Sequence, residues 1–303
     1  MTTFKLATYR SPEGARAAII VGDQLIDAAR ATGHKEDETV SGIMEAGDAA
    51  LDRLSAVAAK GGGVALSSVE LLAPIPTPGN ILCAGANYSD HAAEMAKANG
   101  REPPVDPHTQ GIRSWHFLKS PRCVVADHAK VAIPRNCKKL DWEAELAVII
   151  GRKATHVSEA DAMNYVAGYT IANDLSARDF SRRDKIPDTS SFKSDWVAHK
   201  SFDGACPLGP WIVLARDIPD AHNLSIELDV NGVMKQNSNS GKMIFNIAEQ
   251  IADLSSRLTL YPGDIILTGT PAGVGNGRGE YLNSGDVVKV RVAHLGELTT
   301  TIV

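Results

Sequence analysis

Cysteine is scarce and scattered: Cys83, Cys123, Cys137 and Cys206 are the only four in 303 residues, and no two form a CxxC pair. That spacing argues against a zinc site or a disulfide framework and leaves buried free thiols as the reading. Aromatic residues are few, 5% of the chain, and no dense Lys/Arg cluster is interleaved with them. With a net charge of −5 there is no basic patch, so no nucleic-acid partner is expected. No stretch approaches about 18 consecutive apolar residues. The start, MTTFKLATYR, lacks the apolar core of a leader. The expectation is a soluble, cytoplasmic protein with no membrane partner. Internal repeats and low-complexity tracts are missing too. What remains is globular: 44% apolar and 22% charged residues, enough for a sizeable core.

Punctuation divides the chain. Residues 1–72 read as a small N-terminal α+β domain. Phe4 to Tyr9 and Ala17 to Val21 flank a turn cluster and suggest a hairpin, and Leu51 to Ala59 suggests a short helix ended by Gly61-Gly62-Gly63. The proline-rich LLAPIPTPGN, Leu71 to Asn80, disfavours helix and sheet and marks the boundary to residues 73–303. There, Ile81 to Ala84 reads as a strand, and Ser89 is placed to cap the helix after it. Asn231-Gly232 is a hairpin signal, Ile244 to Leu258 carries one apolar helical stripe, and Val287 to Val292 with Leu298 to Val303 makes a closing hairpin. The glycine-rich run after Thr270 is not read as a dinucleotide fingerprint, because no helix is expected to follow it.

The chemistry gathers on a few carboxylates. In LDWEAELAVIIG, Leu140 to Gly151, an apolar strand is preceded by Glu143 and Glu145. Residues i and i+2 of a strand share a face, so the two carboxylates point together. Paired anions at the edge of an apolar core call for a cation or a shared proton; a solvated strand end is the alternative. Gly168 to Ala172 is a second strand, delivering Asp174 at its end. Three hard oxygen ligands from two strand ends suit Mg²⁺ or Mn²⁺, with positions left for water and substrate. His91 and Glu94, at i and i+3, share a helix face, an arrangement suited to a general base or to an ordinary surface pair. Lys97 to Gln110 and Ser181 to His199 are polar and aperiodic; lids are one reading of such loops.

Six ordered stretches together resemble the fumarylacetoacetate hydrolase family: CAGANYSDHAAEM from Cys83, FLKSP from Phe117, LDWEAELAVIIG from Leu140, GYTIANDLSARD from Gly168, KSFDGACPLGPW from Lys200 and PGDIILTGTPAGVG from Pro262. The resemblance implies a mixed α/β, β-rich fold with a β-roll catalytic domain, and a homodimer. It implies a Mg²⁺ or Mn²⁺ site (Ca²⁺ could replace them in crystals) on Glu143, Glu145 and Asp174. It further implies catalytic His91, Glu94 and Lys200, and substrate contacts from Arg178, Thr270, Tyr88 and Gly269. Two departures bear on substrate choice. Ser181 stands where the family commonly has glutamine, and His199 stands where glycine often precedes the lysine.

The substrates such a family implies are 2-oxo and 2,4-dioxo acids. The expected reaction is C–C hydrolysis of an acylpyruvate such as fumarylpyruvate or maleylpyruvate, in catabolism of aromatic compounds or sugar acids. Decarboxylation of a 2-oxo acid, or isomerisation of a 2-hydroxy-diene-dioate, would use the same enolate chemistry. A non-catalytic carboxylate- or metal-binding protein is the reading from another class.

Overall fold

In the computed structural model, which describes residues 3–102 and 104–303, hydrophobic alternation and its interruptions account for most elements. The chain opens with strands β1 (Lys5–Ser11), β2 (Gly14–Val21) and β3 (Gln24–Asp27), then helix α1 (Asp48–Lys60). Strand β4 (Ile81–Ala84), helix α2 (Ser89–Ala98) and strands β5 (His116–Lys119), β6 (Ala144–Ile150) and β7 (Val166–Asn173) follow. Next come helix α3 (Trp196–Lys200) and strands β8 (Cys206–Leu214), β9 (Ser225–Val230) and β10 (Val233–Asn239). Helix α4 (Ile247–Arg257) and strands β11 (Ile265–Leu267), β12 (Val287–Val292) and β13 (Gly296–Ile302) complete the chain.

Among the described residues one sheet has twelve strands and contains the order β3-β2-β1-β8-β7-β6-β11-β4-β5, while a second, of five strands, contains β10-β9-β12-β13. The fold is mixed α/β and strand-rich, as the resemblance implied. Strand β6 lies between the two cores, and its period of two assigns side chains to each. Leu146, Val148 and Ile150 pack with Ile226, Leu228, Val288 and Val290 of the second sheet and with Ile251 and Leu254 of α4. Ala147 and Ile149, on the other face, pack with Phe4, Leu6, Ile19 and Leu54. The first hairpin therefore shares a core with the larger sheet. It is also joined to that sheet edge to edge, β1 pairing with β8 at Lys5↔Val213.

Several local expectations are corrected. Helix α1 starts at Asp48, a turn earlier than the sequence suggested, because Gly47 ends the preceding helix (Val40–Ala46). Ser89 does not cap α2: it is the first helical residue after Tyr88, and its hydroxyl donates to the Lys242 carbonyl at 3.2 Å. Helix α4 starts after Ile244, because Asn246 and Glu249 form a reciprocal capping box there. Between Asp174 and Arg178, Ser176–Ala177 pairs with Leu140–Asp141, and Arg178 opens a short 3-10 turn, Arg178–Phe180. A four-residue helix, Gly275–Arg278, does follow the glycine-rich run. Its first amides are already used, Gly275 N–H and Asn276 N–H donating to Asp141 at 2.6 and 3.0 Å, so the phosphate-binding reading stays excluded. No helix among the described residues is long and apolar enough to cross a membrane.

Candidate active site

Register brings the carboxylates together. Strands β6 and β7 are antiparallel, with Ala144 opposite Asn173 and Glu145 opposite Ala172. The start of one strand thus faces the end of the other. The Asp174 N–H donates to the Glu143 carbonyl at 2.9 Å, and the Glu143 N–H to the Asn173 side chain at 3.0 Å. One oxygen from each of Glu143, Glu145 and Asp174 lies within 4.8 Å of the others. The three residues are 6%, 1% and 1% exposed, so this is no solvated strand end.

Buried anions need counter-charge. Lys200 Nζ donates to Glu143 at 2.9 Å and to Asp174 at 2.6 Å, and Lys119 Nζ takes the other Asp174 oxygen at 2.6 Å. Arg178 spans Glu143 and Asp141, its Nε 2.8 Å from the latter, and Ser176 donates to Glu143 at 3.0 Å. Burial opposes the charge on Glu143, but Lys200 and Arg178 outweigh it and hold this carboxyl well below its usual range. Glu145 differs. It accepts the Gly269 N–H at 2.7 Å but has no ion-pair partner among the described residues. Burial first, then the neighbouring Asp174 and Glu143, push its carboxyl up. Four carboxylates (Asp141, Glu143, Glu145, Asp174) stand against three cations, and the surplus negative charge falls on Glu145.

A divalent cation fits this donor set: three buried carboxylates, hard ligands, with a charge deficit that a dication reverses. A folded-state pKa raised above the unfolded value means that the folded chain binds more protons, so stability falls as pH rises. The metal-free protein is expected to lose stability as pH climbs from the ordinary glutamate range through the raised pKa of Glu145. Mg²⁺ should restore it, with proton release on binding. Urea titrations at several pH values with and without Mg²⁺ measure this; a metal-free stability that rises over that window contradicts it.

The triad borders a cleft of about 210 Å³ whose lining includes His91, Glu143, Arg178, Lys200 and Thr270, together with Trp115, Phe117, Trp196 and His199. A larger hollow of about 390 Å³ lies at His108, Arg113 and Asp253 on the flank of α4 and contains none of the triad, so size alone does not mark the chemistry. His91 Nδ1 is 3.5 Å from Glu94 Oε2, within ion-pair range but not a closed hydrogen bond. Glu94 is fixed from the other side, both of its oxygens accepting the Gly273 N–H at 3.0 and 2.9 Å. Thr270 accepts from Gln236 at 2.8 Å, and the Gln236 carbonyl takes the Ala144 N–H at 2.9 Å, tying the TGTP turn to the triad strand. Gly269, at φ +99°, presents its N–H to Glu145 in a conformation that a side chain rarely adopts. Tyr88 is fully buried in the core and does not line the cleft.

Residues 80–303 match the family description Fumarylacetoacetate (FAA) hydrolase C-terminal. The chain belongs to the fumarylacetoacetate hydrolase family. It is similar to the mitochondrial oxaloacetate tautomerase Fahd2a of Rattus norvegicus, 38% identical over 88% of this chain and 80% of that protein. A mitochondrial oxaloacetate tautomerase of Xenopus laevis is 40% identical over 78% and 69%. Among solved structures, a 2-hydroxyhepta-2,4-diene-1,7-dioate isomerase from Mycobacterium marinum superposes with TM-score 0.72 at 30% identity, covering 99% of this chain and 98% of that one. Maleylpyruvate hydrolase from Sphingobium sp. SYK-6, in complex with manganese(II) and pyruvate, superposes with TM-score 0.75 at 26% identity over 99% and 98%. The chain is thus a member of a family of enzymes acting on small acids.

Within this family frame, some site residues escaped the sequence. Lys119, the fully buried partner of Asp174, is one; it shares a face of the short strand β5 with Phe117. Breaking a buried pair by removing one partner costs about 3–5 kcal/mol. Lys119→Met is therefore expected to lower the denaturation midpoint of the metal-free protein well beyond error; an unchanged midpoint contradicts the pairing. Asp141 and Gln236 were also missed, because their partners lie far away in sequence. Of the two loops, no described residue of 97–110 lines the cleft: His108 ties that segment to Glu249 at 2.8 Å and packs on Phe245. The second loop does reach it, through Trp196 and His199.

Proposed function

We propose that this protein catalyses proton transfer at C3 of a small 2-oxo acid of the oxaloacetate type, interconverting its enol and keto forms. The observation that carries this reading is the meeting, in one small cleft, of Glu143, Lys200 and His91, with Glu94 behind His91. The cleft's 210 Å³ lies below the roughly 300–1,000 Å³ typical of drug-sized ligands and suits a four-carbon acid. The relatives named as oxaloacetate tautomerases support the same reaction.

Glu143, Glu145 and Asp174 would hold a divalent cation, Mg²⁺ or Mn²⁺, which would supply Lewis-acid polarisation of the 2-oxo group. Lys200 places its side-chain nitrogen, a donor, beside the oxygen that becomes anionic. His91 delivers a proton to C3 in ketonisation and removes one in the reverse direction, with Glu94 holding the ring and stabilising its charged form. One proton leaves the enol oxygen as another reaches C3, so the reaction is neutral overall. Arg178 lines the cleft and has its charge engaged. Asp141 and Glu143 hold it, and it fixes the ligand Glu143.

Hydrolysis of an acylpyruvate is the second reading, favoured by the similarity to maleylpyruvate hydrolase and by a base able to act on water. Presenting the Mg²⁺-loaded protein with enol-oxaloacetate and with an acylpyruvate separates the two. Fast ketonisation with slow or no pyruvate release supports the tautomerase; efficient pyruvate release from the acylpyruvate overturns it. Oxalate binding with no turnover of either substrate would favour a non-catalytic binder.

A further inference from the structure

We infer that His199 forms the subsite for the remote carboxylate of a dicarboxylic 2-oxo acid. This deepens the proposed function and rests on it.

His199 lines the cleft on α3, next to Lys200, and is only 6% exposed. Its Nε2 has no hydrogen-bond partner among the described residues, although buried polar nitrogens are nearly always paired. The other cations at the cleft are engaged: Arg178 by Asp141 and Glu143, Lys200 by Glu143 and Asp174. Neither is free to hold a second carboxylate.

The field at His199 suits an anion. Burial, then Lys200 and Arg178, push the imidazole pKa down to about 2, so the ring is neutral. The cations that disfavour a charged imidazole favour an anion beside it. A neutral imidazole still offers one N–H donor. Trp196, with its ring 5.6 Å from that of His199 and stacked on Phe117 at 4.8 Å, lines the same cleft beside the imidazole.

Lactate and malate share a 2-hydroxy acid end and differ by one carboxylate, so their inhibition constants against the Mg²⁺-loaded protein isolate the subsite. Malate is expected to bind about tenfold more tightly than lactate, the scale of one charge-assisted hydrogen bond. His199→Leu should bring the ratio to within about twofold while leaving the lactate constant unchanged. His199→Asn, which keeps a donor, should recover part of the preference and shows that the fold tolerates change here. An equal preference in wild type and His199→Leu overturns the subsite alone. Failure of both acids and of oxalate to bind the wild-type protein overturns the oxo-acid reading with it.

Discussion

Replacing Glu145 by glutamine or alanine is expected to lower kcat/KM by about 10³-fold or more. Losing the cation forfeits several kcal/mol of charge stabilisation, and each 1.36 kcal/mol is a factor of ten. Glu145 is the sharpest of the three proposed metal ligands to test. Glu143 and Asp174 also anchor Lys200, Lys119 and Arg178, so their removal disturbs packing as well. Among the described residues Glu145 is held by the Gly269 N–H alone, which a glutamine oxygen can still satisfy. Glu145→Gln should therefore fold, remain at least as stable as the metal-free wild type, and bind Mn²⁺ far more weakly by calorimetry. Full turnover with normal Mn²⁺ affinity would remove this residue from the metal site.

His91→Ala carries the second large effect. Loss of a positioned acid–base group lowers rates about 10²–10⁴-fold. Here kcat should fall on that scale with little change in KM or in Mn²⁺ affinity, because His91 sits at the cleft without touching the triad's ion pairs. Glu94→Gln should fall between the two enzymes, since the Gly273 N–H would still position the side chain while its charge is lost. A kinetically normal His91→Ala protein would show that the proton moves through another group.

The carboxylate triad was legible because two local rules sufficed. Period two put Glu143 and Glu145 on one face, and a second apolar strand ended at Asp174. The structure adds why they are buried: they continue the face of β6 that carries Ala147 and Ile149 into the core shared with the first hairpin. Lys119 was not legible as a partner of Asp174, since the pairing depends on the sheet order β7-β6-β11-β4-β5, set by contacts distant in sequence. Arg178 lies far from Asp141 and Glu143 in sequence, and the pairing of Ser176–Ala177 with Leu140–Asp141 is what brings it to them. The two polar loops looked alike in sequence. Long-range contacts separate them, His108 fastening one to α4 while Trp196 and His199 bring the other to the cleft. The reaction was less legible than the site, because hydrolysis and tautomerisation need the same ligands and differ in what the base acts upon.

The central claim is that the triad's cation and His91 together move a proton at C3 of a 2-oxo acid. Its most direct test is the ketonisation of enol-oxaloacetate, followed by ultraviolet absorbance, with protein stripped by chelator and then titrated with Mg²⁺. The account predicts a rate at the uncatalysed level for the stripped protein, recovery with about one equivalent of bound metal, and no recovery in Glu145→Gln. Catalysis that survives chelation undiminished, in the wild type and in Glu145→Gln alike, would contradict it.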